Sequence, residues 1–292
     1  MSLDISTIAV LGAGTMGRGI AQVAALSGYH TILHDPEPTV LDHAHDAIVA
    51  TLDKGVARSK VQPADADAAK GNLQLSSGLD DCVAAADLVI EAVPESIELK
   101  ISIFQAVDTV APHTAIFASN TSSLSITEMA AATTRAERFA GMHFFNPVHI
   151  MRLIELVRGL ETSKDTLDAL MAVGRRMGKE VVTVNESPGF VTSRINVLIG
   201  NEAFRMLQEG VATAEDIDTA LKLGLNHPMG PFEMADLVGL DVRLAILEHL
   251  HRTLGDLYRP SPLLVQYVRA GRLGRKVGRG VYRYDDDGNK RG

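Results

Sequence analysis

A glycine-rich turn near the amino terminus has the spacing that binds the phosphates of a dinucleotide. The apolar segment Ile8 to Leu11 is typical of a buried strand, and the helical segment Arg18 to Gly28 follows the turn. In a Gly-x-Gly-x-x-Gly turn the first glycine permits a tight bend, the second lets the backbone approach a pyrophosphate, and the third lets the helix pack against the strand. The helix N-terminus adds free N–H groups and the positive end of a dipole. The residues predicted to contact a cofactor here are Gly12, Gly14, Thr15, Met16 and Gly17.

Asp35 follows the apolar segment Thr31 to His34, which is typical of the second strand of such a fold. A carboxylate at this place accepts hydrogen bonds from an adenosine ribose, and it would repel the 2′-phosphate of NADP. No arginine follows directly, because the next three residues are Pro36, Glu37 and Pro38. The pattern predicts NAD as the cofactor, and a glycine-rich turn that binds no cofactor is the alternative.

His143 and Glu155 are candidates for proton transfer beside a nicotinamide. Histidine suits this task because its reference pKa lies near neutrality, and His143 ends a strand-like segment at the predicted cofactor edge. Glu155 lies in the next apolar strand-like segment, where a buried carboxylate requires a partner. The carboxylate would fix the imidazole tautomer and stabilise its charged form. The alternatives are a histidine satisfied at a sheet end and a glutamate that faces solvent.

The segment Asn120 to Ser123 follows another buried-strand pattern, Ala115 to Ser119. The amide of Asn120 can hydrogen-bond a carboxamide, and a small hydroxyl such as that of Ser122 can hydrogen-bond a substrate hydroxyl. The alternative is a plain helix cap for the residues from Leu124 onward, formed by Ser123 or Ser125.

Strand-like and helical segments alternate over the first half of the chain. This alternation predicts a mixed α/β fold with a doubly wound sheet of the Rossmann type, whose ligands lie beyond the carboxyl ends of the strands. Glu91 and Asn120 fall at such ends. Two consecutive helical segments, Pro38 to about Arg58 and Pro63 to Lys70, are more than one crossover needs and predict a helical-hairpin insertion.

From residue 187 to Gly271 the pattern is helical, with breaks near Gly210, Gly224 to Gly230 and Gly255 to Pro262. We therefore predict an NAD-binding domain over residues 1–186 and an all-α domain for substrate binding and dimerisation over residues 187–292. Pro188 suits the first turn of a long helix. Apolar residues such as Ile195 and Leu198 predict either a homodimer through this domain or an internal helical core.

The composition agrees with a two-domain globular protein. The chain has 292 residues, 46% of them apolar, and a formal net charge of −8, which gives no indication of nucleic-acid binding. Cys82 is the single cysteine, so no intramolecular disulfide can form and the paired spacing of a zinc site is missing. No stretch is long enough to cross a bilayer. We expect a cytoplasmic protein without a metal site, a nucleic-acid partner or a membrane partner.

Several motifs spread over nearly the whole chain match the pattern of one enzyme family. They are Gly12 to Gly17, Glu91 to Glu95, Ser119 to Ser123, Arg138 to Pro147, Ser187 to Phe190, Asn226 to Glu233 and Gly274 to Tyr282. With these motifs the chain resembles the 3-hydroxyacyl-CoA dehydrogenase family, and Asn226 to Pro231 resembles its bacterial 3-hydroxybutyryl-CoA members in particular. The resemblance implies reversible NAD-dependent oxidation of an (S)-3-hydroxyacyl-CoA and a dimer through the helical domain.

The resemblance also implies catalytic and cofactor-binding roles for matching positions. His143 matches the catalytic histidine, Glu155 its carboxylate partner, and Ser122 the serine near the substrate hydroxyl. Near the cofactor, the matching residues are Asn146 and Lys276 at the nicotinamide end and Glu91 and Lys100 at the ribose.

For the substrate, the resemblance implies that basic residues of the helical insertion meet the CoA phosphates. Lys54 falls at such a position and Arg58 lies nearby. The alternative is that both are ordinary solvent-exposed residues of a helix. One position departs from the family pattern, since Ser193 stands where an asparagine is usual. A serine can still hydrogen-bond a thioester carbonyl, with less reach, and Asn196 lies close to the same helix face.

Two other functions remain open. A dehydrogenase of a sugar acid such as gulonate shares the Ser–His–Glu arrangement, and the basic helical insertion favours a CoA ester over it. A non-catalytic NAD-binding relative is the other alternative, and the presence of His143, Glu155 and Ser122 argues against it.

Overall fold

The structure is a computed structural model that describes residues 4–291. The chain forms two compact units, which divide between Ser187 and Pro188.

The first unit alternates strands and helices. Its strands are β1 (Thr7–Leu11), β2 (His30–His34), β3 (Leu73–Ser76), β4 (Leu88–Glu91), β5 (Ile116–Ser119), β6 (Phe139–Phe144), β7 (Leu153–Arg158) and β8 (Glu180–Asn185). Its α-helices are α1 (Thr15–Leu26), α2 (Pro38–Ala57), α3 (Pro63–Asn72), α4 (Leu79–Val83), α5 (Ile97–Val110), α6 (Ile126–Ala131) and α7 (Lys164–Arg176). The sequence pattern missed α4, a single short turn of helix.

The strands form one eight-stranded sheet in the order β3-β2-β1-β4-β5-β6-β7-β8. All neighbours are parallel except β6 and β7. Strands β4 and β5 are buried along their whole length, which is why they are continuous apolar segments. The strand order reverses at β1, so a ligand crevice is expected at the carboxyl ends of β1 and β4. The predicted Rossmann-type doubly wound sheet is confirmed.

The turn between β1 and α1 requires glycine for two separate reasons. Gly12 has a φ of 96°, a left-handed conformation that side chains rarely adopt. A Cβ on Gly17 would lie 1.7 Å from the carbonyl oxygen of Gly12, so α1 could not approach the strand with any other residue there.

Helices α2 and α3 form the predicted hairpin between β2 and β3. Helix α2 buries Leu41, Ala44, Ile48 and Leu52, which are spaced three or four residues apart and join the same core as α1. The hairpin is therefore a packed part of this unit.

The second unit is helical. Its α-helices are α8 (Thr192–Gln208), α9 (Ala214–Gly224), α10 (Pro231–Val238), α11 (Leu240–Leu254) and α12 (Pro262–Arg269). Each contributes to one apolar core, with Phe204, Ile217, Phe232, Leu247 and Leu264 as members. The unit thus has an internal core of its own, and a homodimer stays a prediction.

Helix α8 begins at Thr192, so the prediction that Pro188 opens it is wrong. Gly189 has a φ of 73° and Phe190 a φ of 48°, and neither conformation can continue a right-handed helix. The Phe190 side chain is buried. A turn that buries this aromatic ring therefore precedes the helix, and sequence periodicity does not indicate it.

Candidate active site

The antiparallel pairing of β6 and β7 sets His143 directly opposite Glu155. His143 Nδ1 lies 2.8 Å from Glu155 Oε2, the glutamate is fully buried, and the histidine is 7% exposed. The hydrogen bond gives the buried carboxylate the partner that it requires. Because Nδ1 faces the carboxylate, Nε2 is the ring nitrogen on the far side, where a substrate could exchange a proton with it.

Ser122 lies in the loop after β5, where Glu95 holds it. Glu95 Oε1 accepts hydrogen bonds from the Ser122 N–H at 3.0 Å, from the Ser122 hydroxyl at 3.4 Å and from the Thr121 hydroxyl at 2.5 Å. The Glu95 side chain is 39% exposed, so it orders the loop and still faces outward. We did not single out Glu95 from the sequence, and its place just beyond the end of β4 was the available signal.

Glu91 and Lys100 form an ion pair inside the first unit. Lys100 Nζ lies 2.7 Å from Glu91 Oε1, and neither side chain is exposed. Glu91 also accepts hydrogen bonds from the Ser119 hydroxyl and the Val93 N–H, at 2.5 and 2.7 Å. Burial raises the pKa of Glu91, and the Lys100 charge and these hydrogen bonds oppose that rise. Lys100 also lies 3.3 Å from Glu95 Oε2, so Glu95 is the exposed end of this network.

Asn120 connects the carboxyl ends of β5 and β6. Its Oδ1 accepts a hydrogen bond from the Phe144 N–H at 2.8 Å, which leaves the Nδ2 group as the donor end of the amide. The next helix is capped by Ser125, whose hydroxyl accepts from the Glu128 N–H at 3.1 Å. The capping alternative therefore applies to Ser125, and Ser122 lies ahead of the cap.

The glycine-rich turn has the features of a dinucleotide site. Helix α1 begins at Thr15 without a side-chain cap, and a Cβ on Gly14 would meet no atom within 4 Å. Asp35 Oδ2 accepts a hydrogen bond from the Ala13 N–H at 3.0 Å, and its Oδ1 accepts from the Glu37 N–H at 3.2 Å. An open helix N-terminus with a fixed carboxylate beside it fits a pyrophosphate and a ribose.

The turn after β6 carries Asn146 and is held by Lys179. Lys179 Nζ donates hydrogen bonds to the carbonyl oxygens of Val148 and Met151, the latter at 2.8 Å. Lys179 is 8% exposed, and burial lowers its pKa. Sequence reasoning missed Lys179, because it follows α7 and no local spacing connects it to this turn.

Two exposed cations lie at the end of α2: Lys54 is in its last turn, and Arg58 directly follows the helix. Neither forms an ion pair with a carboxylate of residues 4–291, and the neighbouring Asp53 pairs with Lys70 at 2.9 Å. This end of the hairpin therefore offers positive charge to an anion.

Ser193 and Lys276 belong to the second unit. Ser193 lies in the first turn of α8, and Lys276 Nζ lies 2.6 Å from Asp241 Oδ2. The Asn196 Oδ1 atom accepts a hydrogen bond from Arg243 at 3.2 Å, so Nδ2 is the donor end of this amide. The roles of Ser193 and Lys276 stay predictions.

Within residues 4–291, no cluster of three or more His, Cys, Asp or Glu side chains could hold a metal ion. No helix in that part of the chain is long and apolar enough to cross a membrane.

Comparison with known proteins gives matches over nearly the whole chain. The NAD-binding domain of 3-hydroxyacyl-CoA dehydrogenase matches residues 7–187, and the C-terminal domain matches residues 189–284. A probable 3-hydroxybutyryl-CoA dehydrogenase from Bacillus subtilis is 45% identical over 97% of this chain and 99% of its own length. A 3-hydroxybutyryl-CoA dehydrogenase from Bradyrhizobium diazoefficiens is also 45% identical, over 97% of each chain.

A solved structure matches as well. The crystal structure of an (S)-3-hydroxybutyryl-CoA dehydrogenase from Ralstonia eutropha superposes with a TM-score of 0.94, at 45% identity, over 97% of this chain and 100% of that one. The family match and the glycine-rich turn together identify the first unit as an NAD-binding domain. The protein therefore belongs to the 3-hydroxyacyl-CoA dehydrogenase family.

Proposed function

We propose that this protein catalyses the reversible oxidation of an (S)-3-hydroxyacyl-CoA to a 3-oxoacyl-CoA with NAD⁺. The observation that carries the proposal is the 2.8 Å contact between His143 Nδ1 and the buried Glu155, at the carboxyl end of β6. The names of the relatives supply the substrate class, and they favour a short acyl chain such as that of 3-hydroxybutyryl-CoA.

In this reaction His143 moves the proton. Its Nε2 accepts the proton of the 3-hydroxyl during oxidation and returns it during reduction. Glu155 holds the ring in one orientation and stabilises the imidazolium that forms. Bound NAD⁺ supplies the acceptor for the hydride that leaves C3.

Ser122 donates a hydrogen bond to the reacting oxygen. Its N–H bond to Glu95 keeps the loop in place while the hydroxyl turns from the long 3.4 Å contact with Glu95 towards the substrate. The hydroxyl thus stabilises the oxygen on which charge develops.

The remaining proposed contacts divide between the cofactor and the CoA ester. Asp35 accepts hydrogen bonds from the adenosine ribose, and Glu91 and Lys100 act on the second ribose through the exposed Glu95. The pyrophosphate lies on Gly12, Gly14, Thr15, Met16 and Gly17, and the nicotinamide end meets Asn120, Asn146 and Lys276. The CoA phosphates pair with Lys54 and Arg58, and the Ser193 hydroxyl bonds the thioester carbonyl.

We also propose a homodimer through the second unit. Large apolar side chains are exposed there, among them Ile195 at 54%, Leu225 at 67% and Leu237 at 50%. A partner subunit would cover such a surface, and sedimentation in dilute solution tests it. The cytoplasmic location stays a prediction.

The test is an NADH-oxidation assay over a series of 3-oxoacyl-CoA chain lengths, with gulonate and NAD⁺ as the comparison. We expect turnover of acetoacetyl-CoA and none of gulonate. Turnover of gulonate alone would identify a sugar-acid dehydrogenase. NADH binding without turnover of any thioester would identify a non-catalytic relative and overturn the proposal.

A further inference from the structure

A small cleft of the first unit lies between α1, α2 and the turn after β6, with a cavity volume of about 120 Å³. Its polar lining comes from all three elements. The lining residues that matter here are Arg18 and Gln22 of α1, Thr51 of α2, and Asn146 and His149 of the turn.

Among the residues that line this cleft, Arg18 is the one that carries a permanent charge. Its guanidinium has no hydrogen bond or ion pair with any residue of the 4–291 range, and no carboxylate lines the cleft. His149, the other titratable group there, is kept towards its neutral form, because burial and the nearby Lys179 charge lower its pKa. A half-buried guanidinium without a counter-charge favours an anionic ligand.

The position of the cleft suggests which anion this is. At one side it reaches Asn146, three residues after His143 in the chain. At the other it reaches Thr51, and Lys54 lies one helical turn further along α2, on the same side of the helix. A CoA thioester has its reacting end and its phosphates separated by a neutral arm with amide groups. The cleft thus lies between the turn that follows His143 in the chain and the part of α2 that precedes its cations, and a CoA thioester has to connect these two places.

We propose that Arg18 binds a phosphate group of the substrate's CoA moiety across this cleft, so that it selects CoA thioesters over shorter thioesters. The inference rests on the proposed function and adds a residue on α1 to the two cations of the hairpin. Because Arg18 follows the glycine-rich turn directly, the cofactor pyrophosphate is the competing ligand, and the experiment separates the two.

The experiment compares Arg18→Met with the unchanged protein on two substrates, acetoacetyl-CoA and acetoacetyl-N-acetylcysteamine, which keeps the thioester and lacks all phosphates. We expect the KM for acetoacetyl-CoA to rise roughly tenfold or more, the usual effect of losing a charge-assisted hydrogen bond, with kcat within about twofold. The kcat/KM for the truncated thioester and the KM for NADH should stay unchanged. Arg18→Lys should restore part of the affinity, because it keeps the charge.

Arg175→Met is the matched control, since Arg175 is exposed on α7 and the change is the same; its KM values should equal those of the unchanged protein. Equal losses on both thioesters, a raised KM for NADH, or no change at all would each overturn the role of Arg18. If the unchanged protein turns over neither thioester, the proposed function itself fails, which is a distinguishable result.

Ionic strength gives a second measurement that does not depend on the truncated substrate. Salt screens a guanidinium–phosphate pair that is in contact with solvent, so the KM of the unchanged protein for acetoacetyl-CoA should rise as salt is added. Arg18→Met should show a shallower rise. Identical slopes for the two proteins would contradict the proposal.

Discussion

The Ser122 N–H donates to Glu95 Oε1 at 3.0 Å, and the other oxygen of the same carboxylate lies 3.3 Å from Lys100 Nζ. The serine loop is therefore connected, through one side chain, to an ion pair that has no exposed surface. If Lys100 left this position, the buried charge of Glu91 would lose its partner, and the free-energy cost of an unpaired buried charge is high. The position of Ser122 is thus set by groups beneath the loop.

Removing this connection should impair catalysis without unfolding the protein. Glu95→Ala removes the acceptor of both Ser122 hydrogen bonds, and we expect kcat/KM for acetoacetyl-CoA to fall about tenfold. Glu95→Gln keeps one acceptor oxygen and should lose less. Glu128→Ala, an exposed glutamate on α6, is the control. If Glu95→Ala and the control have equal activity, Glu95 does not position the loop.

The proposed proton transfer makes His143→Gln a strongly impaired enzyme. General acid–base catalysis contributes roughly 10²–10⁴-fold, so kcat should fall by that factor. NADH binding, followed by cofactor fluorescence, should remain nearly intact, because the glycine-rich turn is untouched. His113→Gln replaces an exposed histidine of the same unit and should be fully active. Near-normal turnover of His143→Gln would remove the proposed base.

Asp35 should determine the choice between NADH and NADPH. Its carboxylate accepts hydrogen bonds from the N–H groups of Ala13 and Glu37, at 3.0 and 3.2 Å. These bonds hold it in one orientation, in which it can also accept hydrogen bonds from ribose hydroxyls. Asp35→Ala should weaken NADH binding about tenfold and reduce the discrimination against NADPH, because the repulsion of a 2′-phosphate is lost. Titration of both cofactors measures the change. A preference of the unchanged protein for NADPH would refute the ribose argument.

The sheet and the contact between His143 and Glu155 were predictable from the sequence. His143 and Glu155 each lie in an apolar segment that is typical of a strand. Strands that follow one another in the chain usually pair, so pairing of these two strands was the expected arrangement. The order of elements and the glycine-rich turn followed from local patterns of the same kind. The individual strands and helices and the glycine-rich turn depend on local sequence, which is why the sequence pattern predicts them.

The roles of Glu91 and Glu95 were not predictable in this way. The two carboxylates are four residues apart, and the sequence does not tell which one is buried. The choice depends on Lys100, which reaches back from α5 and pairs with Glu91 at 2.7 Å. Lys179 shows the same limit, because it supports a turn about 30 residues before it in the chain. Such contacts depend on tertiary packing, so the local sequence does not predict them.

The pair of Asp108 and Arg135 leads to a prediction about stability and pH. Arg135 Nε lies 2.6 Å from Asp108 Oδ1, and the two side chains are 4% and 7% exposed. Burial alone would raise the pKa of Asp108, but hydrogen bonds from Thr134 and Arg135 outweigh it, so the pKa is lowered. A lowered carboxyl pKa contributes stability that is present above the unfolded pKa of about 3.9 and is lost as the pH falls through the folded value.

Asp108→Asn should therefore destabilise the first unit by about 3 kcal/mol near pH 7, because it leaves the Arg135 charge without its partner. The difference from the unchanged protein should begin to narrow below about pH 4, the unfolded pKa of an aspartate, and should close as the pH falls through the lowered pKa of the folded Asp108 carboxylate. Urea denaturation at a series of pH values measures both. Asp42→Asn, an exposed aspartate on α2, serves as the control and should show no such difference. A gap between Asp108→Asn and the unchanged protein that stays constant from neutral to acidic pH would mean that packing, and not the charge of Asp108, accounts for the loss.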